Sequence, residues 1–314
     1  MQETRRRVLD ALAEGPITGP ELAERLDVSR AAVWKHVEAL RDQGFSIVSE
    51  EAGYRLVESP EYGEAAIAHG LEAPFAVEYH DAVPSTNERA RELAQAGADE
   101  TLVVAATQTA SRGRLDREWS SPAGGVYASL LCRPEIPAAQ APTYTLAAAV
   151  AVARAARERG VEAGIKWPND VLLPDTDGEG AGKLCGILTE MEGEADRVSW
   201  LVVGIGVNVN TASEDLPDTA TSIREHVGEV DRAAFVQDIV EAFEAIRDDP
   251  DAILDAWREL SITLGQRVRV ETPTGELVGE AVDIAFPGTL VVETESGTER
   301  VAAGDCEHLR PVSK

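Results

Sequence analysis

The chain has 314 residues, of which 44% are hydrophobic, and 56 acidic residues against 29 basic residues give a formal net charge of −27. A chain of this length and apolar content can form two or three domains with proper cores, which excludes the disordered class. The sequence has no apolar run of about 18 residues and no charged-then-apolar leader, so it predicts neither a membrane span nor a signal peptide. We therefore expect a cytoplasmic protein in a reducing compartment.

Cysteine and lysine are both scarce. Cys132, Cys185 and Cys306 form no CxxC pair, so the sequence predicts neither a disulfide framework nor a zinc site, and no metal ligands are assigned. Only four of the basic residues are lysines. An acidic, lysine-poor surface is typical of a halophilic protein in concentrated salt, where charge repulsion is screened. Compositional drift in a GC-rich genome is the alternative explanation.

Residues 1–60 predict a winged helix-turn-helix domain. Apolar residues at helical spacing mark three short helices, Ser29 is placed to cap the third helix, and a turn at Gly53 joins two strands. This order of helices, turn and hairpin is the plan of a winged helix-turn-helix. The predicted helical core positions are Val8, Leu9, Leu12, Leu22, Ala23, Leu26, Val33, Val37 and Leu40.

The third helix is the candidate DNA-reading helix, because the second helix of a helix-turn-helix motif enters the major groove. Ser29, Arg30, Lys35 and His36 lie at its start or away from its apolar face and are the candidate DNA-binding residues. Residues 1–60 carry a net charge of −3. This charge predicts weak non-specific affinity, so base contacts would have to provide more of the discrimination. A protein-interaction or dimerisation module is the alternative.

Strands and helices alternate over residues 75–263, which predicts a central α/β domain, whereas residues 264–314 contain only short strands and turns and predict a small SH3-like barrel. The whole chain is therefore assigned to the α+β class. In the central domain the predicted strands are 102–107, 126–132, 164–173, 183–191 and 200–209, and the predicted helices are 86–96, 144–159, 232–247 and 251–260.

Four polar segments interrupt the central domain: PSTNERA (84–90), QTASRGRLDREW (108–119), IKWPNDVLL (165–173) and GKLCGILTE (182–190). Arginine and lysine that converge from separate segments are typical of a site for an anionic or phosphoryl ligand. The sequence has no GxxxxGK[ST] motif, so a P-loop nucleotide site is not predicted. Gly204 and Gly206 are interpreted as strand glycines that allow a ligand to approach closely.

Taken in order, these segments resemble the bifunctional biotin–protein ligases that also act as biotin operon repressors. The resemblance covers the whole chain and is carried by SRAAVWKHVEALRDQG, STNE, RGRLDREW, KWPND, GKLCGILTE, VGIGVNVN, ATSIRE and GDCEHLR. It implies a winged helix, a central α/β domain of the class II synthetase and biotin–lipoate ligase type, and an SH3-like C-terminal domain.

The resemblance also implies a two-step reaction. Biotin and ATP would form biotinyl-5′-AMP with Mg²⁺, and biotin would then pass to a lysine of a biotin carboxyl carrier protein or domain of an acyl-CoA carboxylase. Operator DNA and a second copy of the chain are the further implied partners. Two alternatives stay open at this point: a regulator that uses biotin or its adenylate only as an effector, and a lipoate-type ligase.

In this family the arginine loop covers the adenylate, and a lysine lies beside the biotin carboxylate and the α-phosphate. Lys183, Arg112 and Arg114 are therefore the implied catalytic residues. Ser111, Leu115 and Asp116 depart from the family's glycine-rich loop, which predicts a stiffer loop with one positive charge fewer. The implied biotin-binding residues are Ser85, Thr86, Asn87, Gln108, Arg112, Gly113, Arg114, Lys183, Gly186, Gly204 and Gly206, and the implied nucleotide-binding residues are Lys166, Trp167, Asn169, Asp170, Asn208 and Arg310.

Overall fold

The computed structural model describes residues 3–174, 180–273 and 275–309. Its N-terminal part is a helix-turn-helix followed by a hairpin, as predicted. The Oγ of Ser29 accepts a hydrogen bond of 3.1 Å from the amide of Ala32, which confirms the predicted cap. The predicted core positions are all buried. The elements are α1 (Glu3–Ala13), α2 (Gly19–Leu26), α3 (Arg30–Asp42), β1 (Ser46–Glu50) and β2 (Gly53–Glu58).

The next helix and strand, α4 (Glu64–Gly70) and β3 (Ala76–Val83), were not predicted from the sequence. Within α4, Ala65 packs into the core of the winged helix and Ile67 packs into the core of the central domain. The side-chain amide of Gln237 donates hydrogen bonds to the carbonyls of Ala66 and Ile67. The helix α4 therefore joins the two domains and is fixed to the second of them.

The central domain is built on a sheet of seven described strands in the order β3-β4-β5-β9-β8-β7-β6. The pair β3 and β4 is parallel, and the other neighbours are antiparallel. The prediction of one strand over 164–173 was wrong, because the chain turns at 167–169 and forms two paired strands. The strands are β4 (Thr101–Gln108), β5 (Val126–Cys132), β6 (Gly164–Lys166), β7 (Asp170–Pro174), β8 (Ala181–Glu194) and β9 (Arg197–Val207).

Helices cover both faces of this sheet. The helix α5 (Thr86–Gln95) packs on β4, β5 and β9 through Ala90 and Ala94, and the alanine-rich α6 (Pro142–Glu158) lies in the main core on the other face. The helices α7 (Ile223–Val227), α8 (Arg232–Glu244) and α9 (Pro250–Leu260) complete the domain. Among the described residues, no helix has the length and apolarity that crossing a membrane requires.

The described residues after 263 form an antiparallel sheet of five strands in the order β13-β12-β11-β10-β14, where the sequence predicted an SH3-like barrel. The strand β14 was not predicted. Val268, Ile284 and Leu290 of this sheet belong to the same buried cluster as the central domain, so the two share a core. The strands are β10 (Arg267–Thr272), β11 (Gly275–Ala285), β12 (Thr289–Thr294), β13 (Gly297–Val301) and β14 (Asp305–His308).

Candidate active site

A cleft lies where the end of β4, the start of α5, the middle of β8 and the end of β9 meet, beside the loop of residues 109–119, here called the arginine loop. Most of the predicted site residues line the cleft: Ser85, Thr86, Asn87, Gln108, Arg112, Gly113, Arg114, Asn169, Asp170, Lys183, Gly186, Gly204 and Gly206.

The start of α5 presents hydroxyl groups at one end of the cleft. Ser85 is the N-cap of the helix, and its Oγ accepts a hydrogen bond of 3.4 Å from the amide of Glu88. The amide and the hydroxyl of Thr86 both donate to Oε1 of Gln108, at 2.8 and 3.1 Å. A helix start after a strand end therefore places three polar side chains where a neutral ring with donors and acceptors can bind.

Both polar atoms of the Asn87 side chain form hydrogen bonds with other protein groups. Its Nδ2 donates to the carboxylate of Glu190 at 2.8 Å and to the carbonyl of Leu188 at 3.2 Å, and its Oδ1 accepts from Ser129 at 2.7 Å. A Cβ at Gly204 would lie 2.1 Å from that Oδ1, so the glycine makes room for Asn87. Asn87 therefore lines the cleft, but its polar atoms bind other protein groups and support the site from within. Sequence reasoning missed its partners Ser129 and Glu190.

Lys183 provides a positive charge inside the cleft. Its Nζ lies 2.8 Å from Oδ1 of Asp170, which is the first residue of β7. The same Nζ lies 5.3 Å from the centre of the Trp119 ring. The carboxylate and the aromatic face together hold the ammonium group in a fixed position.

The indole of Trp119 fills the space above two strand glycines. A Cβ at Gly186 or at Gly206 would lie 2.9 or 2.6 Å from the indole, so neither strand position tolerates a larger residue here. The Nε1 of Trp119 is buried without a hydrogen-bond partner. Gly206 was interpreted as a strand glycine that lets a ligand approach, and Gly186 was an implied biotin-binding residue. In this structure both glycines make room for the indole of Trp119.

The arginine loop is anchored on two elements. Arg114 donates one hydrogen bond to Oδ1 of Asn169 and one to the carbonyl of Gly304, both at 2.9 Å. Burial lowers the pKa of Arg114, which still remains protonated. Arg117 forms an ion pair of 2.5 Å with Asp305. Contact of this loop with the C-terminal sheet was not predicted, because Gly304 and Asp305 lie almost 190 positions away along the chain.

Three predicted nucleotide-binding residues lie outside the lining of the cleft, and Arg310 lies outside the described residues. Trp167 is 1% exposed, and its Nε1 donates to the carbonyl of Gly288 at 3.0 Å, which is a packing role. Asn208 is buried and donates to the carbonyl of Lys183 at 3.3 Å. Lys166 lies close to His308, whose pKa is lowered by burial and by this lysine.

The candidate DNA-reading helix α3 carries three of its four predicted DNA-binding residues on its exposed surface. Ser29, Arg30 and Lys35 are exposed, whereas His36 is partly buried, and burial together with Arg5 lowers its pKa. Trp34, which the sequence analysis did not single out, is 55% exposed on the same helix.

The cysteines and the acidic residues give no metal centre within the described ranges. Cys132, Cys185 and Cys306 are buried and unpaired, and burial raises the pKa of each thiol, to about 11 for Cys306. These thiols are therefore packing groups. No group of three or more histidine, cysteine, aspartate or glutamate side chains is placed to hold a metal ion in the part of the chain that the structure describes.

Three family models match the chain in sequence order. An HTH domain matches residues 4–55, the Biotin/lipoate A/B protein ligase family matches residues 79–208, and the Biotin protein ligase C terminal domain matches residues 263–309. Among solved structures, the biotin protein ligase from Aquifex aeolicus in complex with biotin and ATP superposes with a TM-score of 0.62 at 27% identity, over 75% of this chain and 99% of that chain. The fold and the cleft together define a ligase of the biotin and lipoate class joined to a helix-turn-helix domain.

Relatives with similar sequences identify the family within this class. The bifunctional ligase/repressor BirA of Bacillus subtilis is 40% identical over 93% of each chain, and that of Salmonella typhimurium is 30% identical over 92% of each chain. The biotin--[acetyl-CoA-carboxylase] ligase of Mycobacterium tuberculosis is 35% identical over 70% of this chain and 84% of its own length. The chain belongs to the family of bifunctional biotin protein ligases and repressors, which confirms the prediction from the sequence.

Proposed function

We propose that the chain makes biotinyl-5′-AMP and transfers biotin to a lysine of a biotin carboxyl carrier protein. In the first step a carboxylate oxygen of biotin attacks the α-phosphorus of ATP, and pyrophosphate leaves. In the second step the ε-amine of the acceptor lysine attacks the carbonyl carbon of the mixed anhydride. An amide bond forms, AMP leaves, and the amine loses a proton.

The presence of two chemically different groups of side chains in one cleft carries this proposal. Ser85 and Thr86 supply hydrogen bonds for a neutral ring, while Arg112, Arg114 and Lys183 supply positive charge. The carboxylate and the α-phosphate that react are both anionic, so cations must hold them together and stabilise the charge that develops.

Mg²⁺ fits the cleft in the mode that nucleotide enzymes commonly use. Asp170 lines the cleft together with Glu118 and Asp305, and Asn169 contributes an amide beside Asp170. One or two carboxylates with substrate phosphates and waters commonly hold this ion, so a cage of three acidic residues is not required. We assign Asp170 as its protein ligand. The ion would neutralise phosphate charge when ATP is bound.

The proposed activity can be tested by biotin-dependent exchange between pyrophosphate and ATP, measured in molar KCl, with lipoate in place of biotin as the matched control. We expect exchange with biotin and none with lipoate. Exchange with lipoate alone would identify a lipoate-type ligase. Silence of the folded protein with either acid would instead favour a regulator that uses biotin only as an effector.

The winged helix supports a second proposed activity, biotin-responsive repression at an operator. Arg30 and Lys35 are exposed on α3, where a helix-turn-helix reads the major groove. We propose that the adenylate-bound form binds DNA as a homodimer, since operators with two half-sites match two-fold symmetric proteins. Selection of binding sites from random DNA, with and without biotin and ATP, tests this. Equal binding in both conditions would contradict control by biotin.

A further inference from the structure

The arginine loop folds back on itself, and its base is closed by a pair of hydrogen bonds. Arg112 and Glu118 face each other in an antiparallel bridge. At the base, the amide of Trp119 donates to the carbonyl of Ser111 at 3.3 Å, and the hydroxyl of Ser111 donates to the carbonyl of Trp119 at 2.6 Å. Facing residues of an antiparallel pair exchange two bonds, and here the side chain of Ser111 supplies the second one.

The hydroxyl protons around Ser111 can be assigned from the backbone groups that they meet. A carbonyl can only accept, so Ser111 donates its single proton to Trp119. The Oγ of Ser121 lies 2.9 Å from that of Ser111, so Ser121 is the donor in this contact. Ser121 in turn accepts from Nε2 of Gln108 at 3.1 Å, because Oε1 of Gln108 faces the backbone amide of Thr86. One continuous row of hydrogen bonds therefore joins the end of β4 to the base of the arginine loop.

Ser111 is one of the residues that depart from the family's glycine-rich loop. The sequence predicted a stiffer loop because the backbone freedom of glycine is lost. The structure adds a second physical cause, since a glycine at this position could form neither of the two side-chain hydrogen bonds. All partners of the Ser111 hydroxyl belong to the protein, so these bonds hold the loop without help from a ligand.

The closed base positions the indole of Trp119. The centre of that ring lies 5.3 Å from Nζ of Lys183, and the Ser111 hydroxyl is bonded to the carbonyl of the same tryptophan. At the tip of the loop, Arg114 donates to Oδ1 of Asn169 at 2.9 Å. The base and the tip are therefore held by separate groups, and opening of the whole loop requires both to break.

We propose that Ser111 is a positioning residue whose hydroxyl fastens the base of the arginine loop and thereby slows the escape of the bound adenylate. The inference rests on the proposed function. Loss of this hydroxyl leaves the carbonyl of Trp119 without its side-chain donor and separates the loop from Ser121, so the open form of the loop becomes more populated. A loop that opens more often retains a reactive intermediate less well.

Three substitutions at Ser111 separate the hydroxyl from the backbone effect. Ser111→Ala removes the hydroxyl and keeps the Cβ, Ser111→Gly removes both, and Ser111→Thr keeps both. Ser120→Ala is the matched control, because Ser120 is an exposed serine outside the lining of the cleft. Two rates are measured on the full chain: amide hydrogen exchange of residues 111–121 without added ligand, by mass spectrometry, and release of labelled biotinyl-5′-AMP.

In Ser111→Ala we expect both rates to rise by about tenfold, the effect of losing a side-chain hydrogen bond and leaving its acceptor without that donor. Ser111→Gly should raise them at least as much, because it adds backbone freedom to the loss of the hydroxyl. Ser111→Thr retains a hydroxyl group that can donate to Trp119 and is expected to keep the native rates. Ser120→Ala leaves both rates unchanged.

Native rates in Ser111→Ala together with faster rates in Ser111→Gly would overturn the inference, because backbone freedom alone would then control the loop. Faster amide exchange in Ser111→Ala with an unchanged rate of adenylate release would overturn the positioning role. Failure of the native chain to form the adenylate is a separate result. It would overturn the proposed function and the effect on release, whereas amide exchange would still decide whether the Ser111 hydroxyl closes the loop.

Discussion

Lys183 is held through its backbone as well as its charge. Its amide donates to the carbonyl of Thr219 at 2.9 Å, and its carbonyl accepts from the amide of Thr221 at 3.1 Å and from Asn208. Its Nζ is paired with Asp170. Asn208, which was predicted to contact nucleotide, therefore acts on the lysine. A cation that is preorganised in this way stabilises developing charge without first having to reorient.

We predict that Lys183→Ala lowers the maximal rate of biotin-dependent pyrophosphate exchange by about 100-fold or more, the usual effect of removing one preorganised donor. The far-ultraviolet circular dichroism should stay native. Lys35→Ala, which removes an exposed lysine of α3, is the matched control and should leave exchange unchanged. Full exchange activity in Lys183→Ala would refute the assigned role.

Single residues were predictable from the sequence where they interrupt an apolar pattern. Lys183 and Asp170 were found because charged side chains are unusual beside buried strands. Ser129, Glu190 and Asp305 were missed because nothing local distinguishes them. Ser129 lies in a run of apolar strand residues, and its partner Asn87 is 42 positions away, so only the folded sheet brings them together. Contacts of this range have no signature in a single sequence.

At the scale of elements, the sequence predicted the long apolar strands and helices well and the short ones badly. The strand β5 was predicted with its observed bounds. The pattern over 164–173 was interpreted as one strand, although β6 has three residues and β7 has five, joined by a turn that contains Pro168. The short helix α4 and the strand β3 were missed, because α4 is stabilised by the two domains that it touches and not by its own periodicity.

The arginine loop provides a prediction at this scale. The ion pair between Arg117 and Asp305 is exposed, and such pairs contribute at most about 1 kcal/mol. Arg114 is partly buried and donates two hydrogen bonds, so it should hold the loop more firmly. We predict that Asp305→Asn speeds release of bound biotinyl-5′-AMP up to about fivefold and that Arg114→Ala speeds it more.

Release is measured by chasing labelled adenylate with unlabelled biotin and ATP. Glu307→Gln on the same strand is the matched control, since Glu307 pairs with Arg269 and not with the loop. Because salt screens an exposed pair, the effect of Asp305→Asn should shrink in molar KCl, while that of Arg114→Ala should persist. Equal release rates in all three variants would show that the loop is not held by the C-terminal sheet.

The recognition helix provides another prediction. Trp34 is 55% exposed between Arg30 and Lys35, so its ring can contact apolar parts of DNA such as thymine methyl groups. We predict that Trp34→Ala weakens binding to the selected DNA site by about tenfold, while Trp34→Phe weakens it less. Replacing thymine by uracil in the site should weaken the native protein but not Trp34→Ala. A thymine effect of equal size in both proteins would exclude this contact.

At the scale of the whole molecule, the net charge of −27 opposes the compact state. Ion pairs cannot cancel this repulsion, because even complete pairing of the 29 bases leaves 27 acidic residues without a base. Salt weakens the exposed pairs, each worth at most about 1 kcal/mol, but it also screens the repulsion among all the acidic residues. We therefore expect the second effect to dominate, so that added salt stabilises the fold.

The melting temperature should accordingly rise from low salt to molar KCl, with most of the rise complete when the Debye length reaches about 3 Å near 1 M. Thermal unfolding followed by circular dichroism measures this, and sucrose at equal osmolality separates charge screening from solvent exclusion. Specific DNA binding should change in the opposite direction, since salt weakens every phosphate contact. A flat melting temperature would show that the acidic surface is not an adaptation to salt. A rise would mean that the protein works in concentrated salt, where phosphate contacts are weak, so that operator recognition depends on base contacts from α3.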